Sequence, residues 1–172
     1  MTLINRLIRN PRNSLLLAAA VTACAPPEEP TRTVDDSFQR ALQERLITTS
    51  SGDVVTIPAG THDITRGLSL NVSGVTIRGE GMDRSILSFK NQVQGAEGLL
   101  VSASDFTIED LAIEDTRGDA LKINEGTNIV IRRVRTEWTN GPDENNGAYG
   151  IYPVQTENVL LEDNVAIGAS DA

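Results

Sequence analysis

A short pattern occurs four times between residues 67 and 165, and it constrains the fold more than any other feature of the chain. Each copy has two short apolar stretches, and the second begins seven or eight residues after the first. The paired stretches are marked by Leu68 and Val75, Leu99 and Phe106, Leu121 and Ile129, and Ile151 and Val159. The second stretch recurs after 31, 23 and 30 residues. Self-similarity at such a period is typical of a repeat architecture.

The apolar stretches alternate apolar and other residues over three or four positions, which indicates short strands with one buried face. No copy contains a ten-residue segment of helical periodicity, so solenoids of helical or leucine-rich repeats are excluded. Polar corners separate the strands, as at Ser104-Asp105 and Thr127-Asn128. Each strand then pairs with the same strand one coil later, about 4.8 Å away. The sequence therefore predicts an all-β fold, a single-stranded parallel β-helix.

Two copies are longer than the 23-residue coil, and the excess locates insertions. The third has seven extra residues, which matches the run of turn-forming residues at 141–147. The first has eight extra residues, placed between Gly79 and Glu97. Insertions in a solenoid form loops on its flank, where binding commonly occurs.

The amino terminus has the features of a signal peptide. Arg6, Arg9 and Arg12 precede an apolar run that is too short to span a bilayer, and small residues precede Cys24. The sequence around Cys24 resembles a bacterial lipobox, which implies lipidation of this cysteine, the only one in the chain. We predict a signal peptide at 1–23, a Pro/Glu tether at 24–34 and a lipid-anchored domain at 35–172. The domain would face the periplasm or cell exterior, on the outer membrane where a cell has two.

A single helix is predicted at about residues 36–47, before the first coil at about residue 54. Asp35 and Asp36 are candidates to cap it. Its apolar stripe, with polar Arg40, Gln43 and Glu44 facing away, is predicted to cover the first coil as an amino-terminal cap. The stripe consists of Phe38, Ala41, Leu42, Leu46 and Ile47.

The motifs from the helix to the first coils resemble the start of the pectate-lyase-like superfamily of right-handed parallel β-helices. The resemblance rests on the helix, on residues 52–60 (Gly-Asp-Val-Val-Thr-Ile-Pro-Ala-Gly) and on a strand that ends in Gly79-Glu80-Gly81. It covers about residues 36–167 and implies a right-handed coil. It also implies contact with polysaccharide and leaves open a lyase, hydrolase or epimerase activity. Calcium is implied only by this resemblance, and no residue here matches the family's calcium ligands or catalytic arginine.

The charge balance narrows the possible partners. When the three arginines of the signal peptide are left out, the chain has 12 Lys and Arg residues and 24 Asp and Glu residues, which gives a net charge of −12. Such a surface disfavours nucleic acid, and it disfavours a polyanionic sugar unless a cation bridges the two. Aromatic residues make up only 3% of the chain, so a long sugar-stacking platform is not evident.

Stacking in register predicts which side chains meet on the outside of the coils. Arg78, Glu109, Arg132 and Glu162 are predicted to form a solvated salt-bridge ladder, and Asp105, Asn128 and Asn158 to line a corner. A second outward region has the columns Ser69, Leu100, Lys122, Tyr152 and Arg66, Glu97, Asp119, Tyr149.

This second region holds the candidate site. Asp119 and Lys122 are the catalytic candidates, because a carboxylate can move a proton and a cation can stabilise an enolate. The binding candidates are Trp138, Asp143, Glu144, Tyr149 and Tyr152. The same residues also suit an ordinary charged face of a solenoid.

Two functions remain open at this point. One is a membrane-anchored envelope protein that binds, and in one version modifies, a polysaccharide. The other is a non-catalytic binding or scaffold module of the cell envelope. Residues 168–172 resemble the run that opens the third copy, so we expect further coils or a partner chain at the carboxyl end.

Overall fold

The computed structural model describes residues 36–171, so the predicted signal peptide, Cys24 and the tether lie outside the described residues. The described part is a parallel β-solenoid of about four turns with one short helix before it. The all-β prediction and the single amino-terminal helix are therefore confirmed.

The helix and the strands follow one another in a simple order. The helix is α1 (Ser37–Thr48). The strands are β1 (Val54–Thr56), β2 (Gly60–Asp63), β3 (Arg66–Leu70), β4 (Thr76–Arg78), β5 (Ser85–Ser88), β6 (Gln94–Val101), β7 (Thr107–Glu114), β8 (Leu121–Glu137), β9 (Ile151–Glu162) and β10 (Val165–Ile167). Every recorded strand pair is parallel.

The strands form three faces around a central core. The first face stacks β1, β4, the start of β7, the middle of β8 and the end of β9. The second stacks β2, β5 and the ends of β7 and β8, followed by β10. The third stacks β3, β6 and the starts of β8 and β9. The long strands β7, β8 and β9 thus run around corners from one face to the next.

The register is the one that the repeat predicts. On the third face Leu68, Leu99, Leu121 and Ile151 are successive Cα partners. On the first face Ile77, Ile108, Ile131 and Leu161 are partners in the same way. These two columns point into the core, and their members in the first three coils are at most 2% exposed.

The helix caps the first coil through glutamines as well as through apolar side chains. Leu42 and Leu46 are buried, but so is Gln39, whereas Ala41 and Ile47 of the predicted stripe are exposed. Gln43 Oε1 accepts a hydrogen bond from Ser69 N at 2.9 Å, and Gln43 Nε2 donates to Ser69 O at 3.0 Å. The side-chain amide thus takes the place of a neighbouring strand beside β3 and satisfies its open edge. The prediction that Gln43 faces away was wrong.

Two further details of the helix differ from the sequence-based expectation. Asp36 makes no capping hydrogen bond and instead pairs with Arg40 at 2.5 Å. Gln39 Oε1 accepts from Thr65 N at 2.6 Å, a second contact between the helix and the coil.

The predicted salt-bridge ladder forms in part, from Arg78 through Glu109 to Arg132, and its centre is not solvated. Glu162 is aligned with Arg132 in the strand register, but no ion pair between them is found among the described residues. Glu109 accepts from Arg78 Nε at 2.5 Å and from Arg132 Nε at 2.6 Å, and Arg133 Nη2 lies 3.4 Å from it. Glu109 is only 2% exposed, whereas these arginines are 38–49% exposed. Burial on its own raises the pKa of Glu109, but the hydrogen bonds and charges of Arg78 and Arg132 outweigh it and hold the pKa below 4.5.

This pKa gives the ladder a pH dependence. A carboxyl group whose pKa is lowered on folding stabilises the fold above its unfolded pKa of about 4.5, and that stability is lost as the pH falls through the lower folded value. We expect Glu109→Gln to have a smaller drop in thermal midpoint between pH 6 and pH 3 than the parent chain. Glu44→Gln, on the exposed side of α1, is the matched control and should keep the parent slope. An unchanged slope in Glu109→Gln would contradict this assignment.

The corner column also forms as predicted. Asn128 Nδ2 donates to Asp105 Oδ1 at 2.8 Å, and Asn158 Nδ2 donates to Asn128 Oδ1 at 2.6 Å. All three residues have φ between 53° and 58°, a left-handed conformation that Asn and Asp tolerate. The hydrogen bonds of this corner column therefore all run in one direction, because the side-chain amide in each coil donates to the corner residue of the coil before it.

One of the two predicted insertions lies where the sequence placed it, and the other is divided between two corners. The loop at 141–147 lies between β8 and β9, as expected. The extra residues of the first copy divide between two corners, on either side of β5. The second of these corners shifts the register, so Arg66 pairs with Gln94 and not with Glu97. The predicted column from Arg66 to Glu97 was therefore wrong.

Candidate functional site

The third face brings together most of the residues that the sequence singles out. Lys122 is the partner of Leu100 in β6 and of Tyr152 in β9, as predicted. The rings of Tyr149 and Tyr152 stack with their centroids 4.2 Å apart and their planes 24° apart. Lys122 Nζ lies 5.5 Å from the centroid of the Tyr152 ring. We call the region formed by Glu97, Asp119, Lys122, Tyr149 and Tyr152 the tyrosine–lysine surface.

Lys122 is held between two carboxylates from different coils. Its Nζ lies 3.4 Å from Asp119 and 3.5 Å from Glu97. Burial alone lowers the pKa of Lys122, but the hydrogen bond and charge of Asp119 and the charge of Glu97 outweigh it and raise the pKa above 10.5. At neutral pH the amine is therefore protonated and carries no lone pair. Lys122 suits a fixed cation and does not suit a general base or nucleophile.

Tyr149 has a partner that the sequence analysis did not name as a site residue. Its hydroxyl donates to Asp171 Oδ2 at 2.9 Å. This hydrogen bond, with the charge of Asp171, raises the pKa of Tyr149 above 10.0. The only available signal was the repeat itself, because Asp171 takes the place of Asp119 in the run 168–172 that resembles the start of the third copy. The hydroxyl is thus oriented by a carboxylate and remains protonated at neutral pH.

Trp138 does not belong to the exposed surface. Its side chain is only 4% exposed and lies in the core. The indole Nε1 donates to Thr116 O at 2.7 Å. A ring in this position offers no open face to a sugar, so Trp138 has a packing role and is not retained as a binding residue.

The acidic loop after β8 carries the other two candidates. Asp143 Oδ1 accepts from Asn145 N at 2.9 Å and from Asn145 Nδ2 at 2.8 Å. These bonds, that of the backbone first, lower the pKa of Asp143 below 3.8. Asp143 therefore shapes its own turn, while Glu144 is exposed on the loop.

The loop is tied to the tyrosine–lysine surface by a close backbone contact. Gly147 packs directly against the carbonyl of Gly118, next to Asp119, and against Trp138. Asn146 Nδ2 donates to Gly141 O at 2.9 Å and to Gly168 O at 2.6 Å. The position of Tyr149, two residues after Gly147, therefore depends on this contact.

The described residues also form a cleft apart from the tyrosine–lysine surface. This cleft has a volume of about 440 Å³ and lies between α1 and β3. It contains no residue of the tyrosine–lysine surface. Within the same residues, no group of three or more His, Cys, Asp or Glu side chains is arranged to hold a metal ion. His62 lies in β2 and stacks on Phe38 of α1 with ring centroids 3.8 Å apart.

The chain has no significant match to a protein-family model, to a curated protein or to a solved structure. No helix among the described residues is both long and apolar enough to cross a bilayer. The geometry of the tyrosine–lysine surface is therefore the basis for the function proposed below.

Proposed function

We propose that the protein binds a polysaccharide on the tyrosine–lysine surface. The observation that carries the proposal is the pair of half-buried tyrosine rings, stacked 4.2 Å apart beside Lys122. Such rings provide rigid apolar area for a pyranose face, and their hydroxyls and the nearby carboxylates provide hydrogen-bond partners for sugar hydroxyls. Because the third face continues through four coils, it suits an extended polymer.

The geometry favours binding over modification at these residues. Asp119 and Lys122, the catalytic candidates, neutralise each other in an ion pair at 3.4 Å. Proton transfer at neutral pH needs a group whose pKa lies near 7, and the pKa of Lys122 moves in the opposite direction. Binding without catalysis is therefore the version that we propose. The resemblance to the pectate-lyase-like superfamily, with its right-handed coils, agrees with a carbohydrate ligand but does not select a reaction.

The charge of the surface predicts the class of polysaccharide. Glu97 and Asp119 flank the cation Lys122, and Asp171 adds a third carboxylate at Tyr149, so the local balance is negative. We expect a neutral polymer to bind better than polygalacturonate. A polyuronate would bind only with Ca²⁺ added as a bridge.

Affinity electrophoresis of the parent chain and its variants tests this proposal. A gel containing a soluble neutral β-glucan should retard the parent, and Tyr152→Ala should lose about tenfold in affinity, or about 1.4 kcal/mol. Ile47→Ala, which removes an exposed apolar side chain from α1, is the control and should migrate like the parent. Equal retardation of the parent and Tyr152→Ala, or retardation of neither by any of a panel of neutral and acidic polysaccharides, would contradict the proposal.

We also propose that the domain is held at a bacterial membrane by a lipid on Cys24, facing the periplasm or the cell exterior. The support is the lipobox-like sequence and the short apolar run before it. Expressed in a bacterium with both membranes, the parent should fractionate with membranes and gain the mass of a diacylglycerol and an acyl chain. Cys24→Ala should be found in the soluble fraction. A parent protein that is found in the soluble fraction without the added lipid mass would contradict this proposal.

A further inference from the structure

A small pocket lies at the corner that follows the second face, where three successive coils pass beside the loop at 141–147. Its volume is about 180 Å³, and it contains no residue of the tyrosine–lysine surface. Its lining includes Lys90 after β5, Asp115 after β7, Asn140 after β8 and Asn145 of the loop. Pockets for drug-sized ligands usually measure about 300–1,000 Å³. This pocket therefore suits one small molecule, such as a single sugar residue, and does not suit a chain.

The two charged groups of the pocket do not satisfy each other. Lys90 and Asp115 line the same space, yet Lys90 has no ion-pair partner among residues 36–171. Thr139 N donates to Asp115 Oδ1 at 2.7 Å, and Thr139 Oγ1 donates to Asp115 Oδ2 at 2.8 Å. A carboxylate has about four lone-pair sites, so Asp115 can still accept a hydrogen bond from a ligand. An ammonium donor and a carboxylate acceptor therefore line the pocket without a bond between them.

Side-chain amides supply further polar groups. The Asn140 amide makes no hydrogen bond within the described part of the chain, so its NH₂ group and its oxygen are both open to a ligand. Asn145 Nδ2 donates to Asp143 Oδ1 at 2.8 Å, which leaves Asn145 Oδ1 as an acceptor. The pocket thus offers donors and acceptors that the protein itself does not use.

We propose that this pocket binds one neutral sugar residue through adjacent hydroxyl groups. A hydroxyl group can both donate and accept a hydrogen bond, so one hydroxyl accepts from Lys90 Nζ while its neighbour donates to Asp115. The Asn140 amide can donate to and accept from a further hydroxyl. Within the polysaccharide of the proposed function, on which this part of the inference rests, the bound residue is a branch or a chain end, because the pocket does not hold a chain.

Charged ligands fit the same pocket less well. An anion that pairs with Lys90 also meets the carboxylate of Asp115, and a cation bound by Asp115 also meets the ammonium group of Lys90. Each of these like-charge contacts opposes binding. A pair of hydroxyl groups has no net charge and satisfies both side chains.

Trp138 provides a direct signal of binding, because it lines the pocket and is the only tryptophan in the chain. Its fluorescence is followed while the parent chain is titrated with the methyl glycosides of glucose, galactose and mannose. At least one glycoside should change the emission saturably, with a dissociation constant on the order of 1 mM. Glucuronate and alanine are the anionic and zwitterionic comparisons, and each should bind more weakly than that glycoside.

Variants of the lining residues test whether the signal comes from this pocket. Lys90→Met and Asn140→Ala should each weaken binding of the glycoside by about tenfold, because each removes a hydrogen-bond donor. Arg117→Gln is the matched control, since Arg117 is an exposed cation at the same corner that does not line the pocket. It should bind the glycoside like the parent.

Weaker binding in both lining variants, with parent-like binding in Arg117→Gln, supports the proposal. It is overturned if none of the three glycosides gives a saturable response, even where a neutral polysaccharide retards the protein. Unchanged binding in Lys90→Met or in Asn140→Ala, or tighter binding of glucuronate or alanine, also overturns it.

Tyr152→Ala distinguishes this inference from the proposed function. This variant should weaken retention by the polymer but keep the fluorescence response to the glycoside, because Tyr152 does not line the pocket. A response that Tyr152→Ala abolishes would place the sugar on the tyrosine–lysine surface and overturn the assignment to the pocket.

Discussion

Replacement of Ile131 by alanine is expected to lower the free energy of unfolding by about 3 kcal/mol. Ile131 is 0% exposed and lies between Ile108 and Leu161 in the core column of the first face. Its truncation leaves a cavity between two coils that cannot close, because the strands on both sides are fixed by backbone hydrogen bonds. Urea unfolding of the parent and the variant, with the slope of each transition, measures the difference.

The same column supplies the control for this prediction. Leu161 occupies the equivalent position one coil later but is 51% exposed. Leu161→Ala should therefore cost less than about 1 kcal/mol, since less apolar area is returned to water. Equal costs at the two positions would mean that the coils do not stack in the register described.

Gly147→Ala is expected to be similarly severe, at about 3 kcal/mol. A Cβ at this position would overlap the carbonyl of Gly118 and come within 2.7 Å of Trp138 Cζ2. Both obstacles are rigid, because one is backbone and the other is a ring in the core. The loop must then move away from the third coil, and Tyr149 with it.

Gly52→Ala is the control that distinguishes the cost of this steric overlap from the cost of backbone strain. Gly52 has φ of +94° and nothing within 4 Å of a Cβ, so alanine there costs only the strain, about 1 kcal/mol. Chemical denaturation compares the two variants, and near-ultraviolet circular dichroism of the single tryptophan reports whether Trp138 has moved. A Gly147→Ala protein with the parent stability and spectrum would contradict the close approach of the two coils.

The sequence predicted the columns of side chains correctly because a parallel solenoid leaves little freedom. Each strand meets the equivalent strand one coil later, so the spacing between copies determines which residues become neighbours. Lys122 beside Tyr152 and Arg132 beside Glu109 both follow from this rule. A corner insertion breaks this rule locally, so Arg66, the first residue of β3, pairs with Gln94 and was misplaced.

The contacts of side chains whose polar groups have a structural role were harder to predict. The helical pattern predicts that Gln43 faces solvent. Its side-chain amide, however, makes the two hydrogen bonds that the backbone of a neighbouring strand would make. Trp138 reads as a sugar-binding ring, but its N–H finds a backbone acceptor, Thr116 O, and can therefore be buried. In both cases the deciding contact is with a backbone group far away in sequence, which spacing alone does not reveal.

The sequence predicted which residues of the candidate site lie together but not how their charges pair. The sequence placed Asp119, Lys122, Tyr149 and Tyr152 together, but it could not show that Lys122 is shared by two carboxylates. Charge pairing of this kind depends on side-chain direction across two coils. This pairing supports our proposal of binding without catalysis.

The central claim is that Tyr149 and Tyr152 contact the polysaccharide, and these are the only two tyrosines in the chain. Incorporation of 3-fluorotyrosine therefore gives a fluorine spectrum with one signal from each ring of the proposed site. Titration with the neutral polysaccharide that retards the protein should shift both signals together and saturably. Saturable binding that leaves both signals in place would show that the ligand lies elsewhere and would contradict the account.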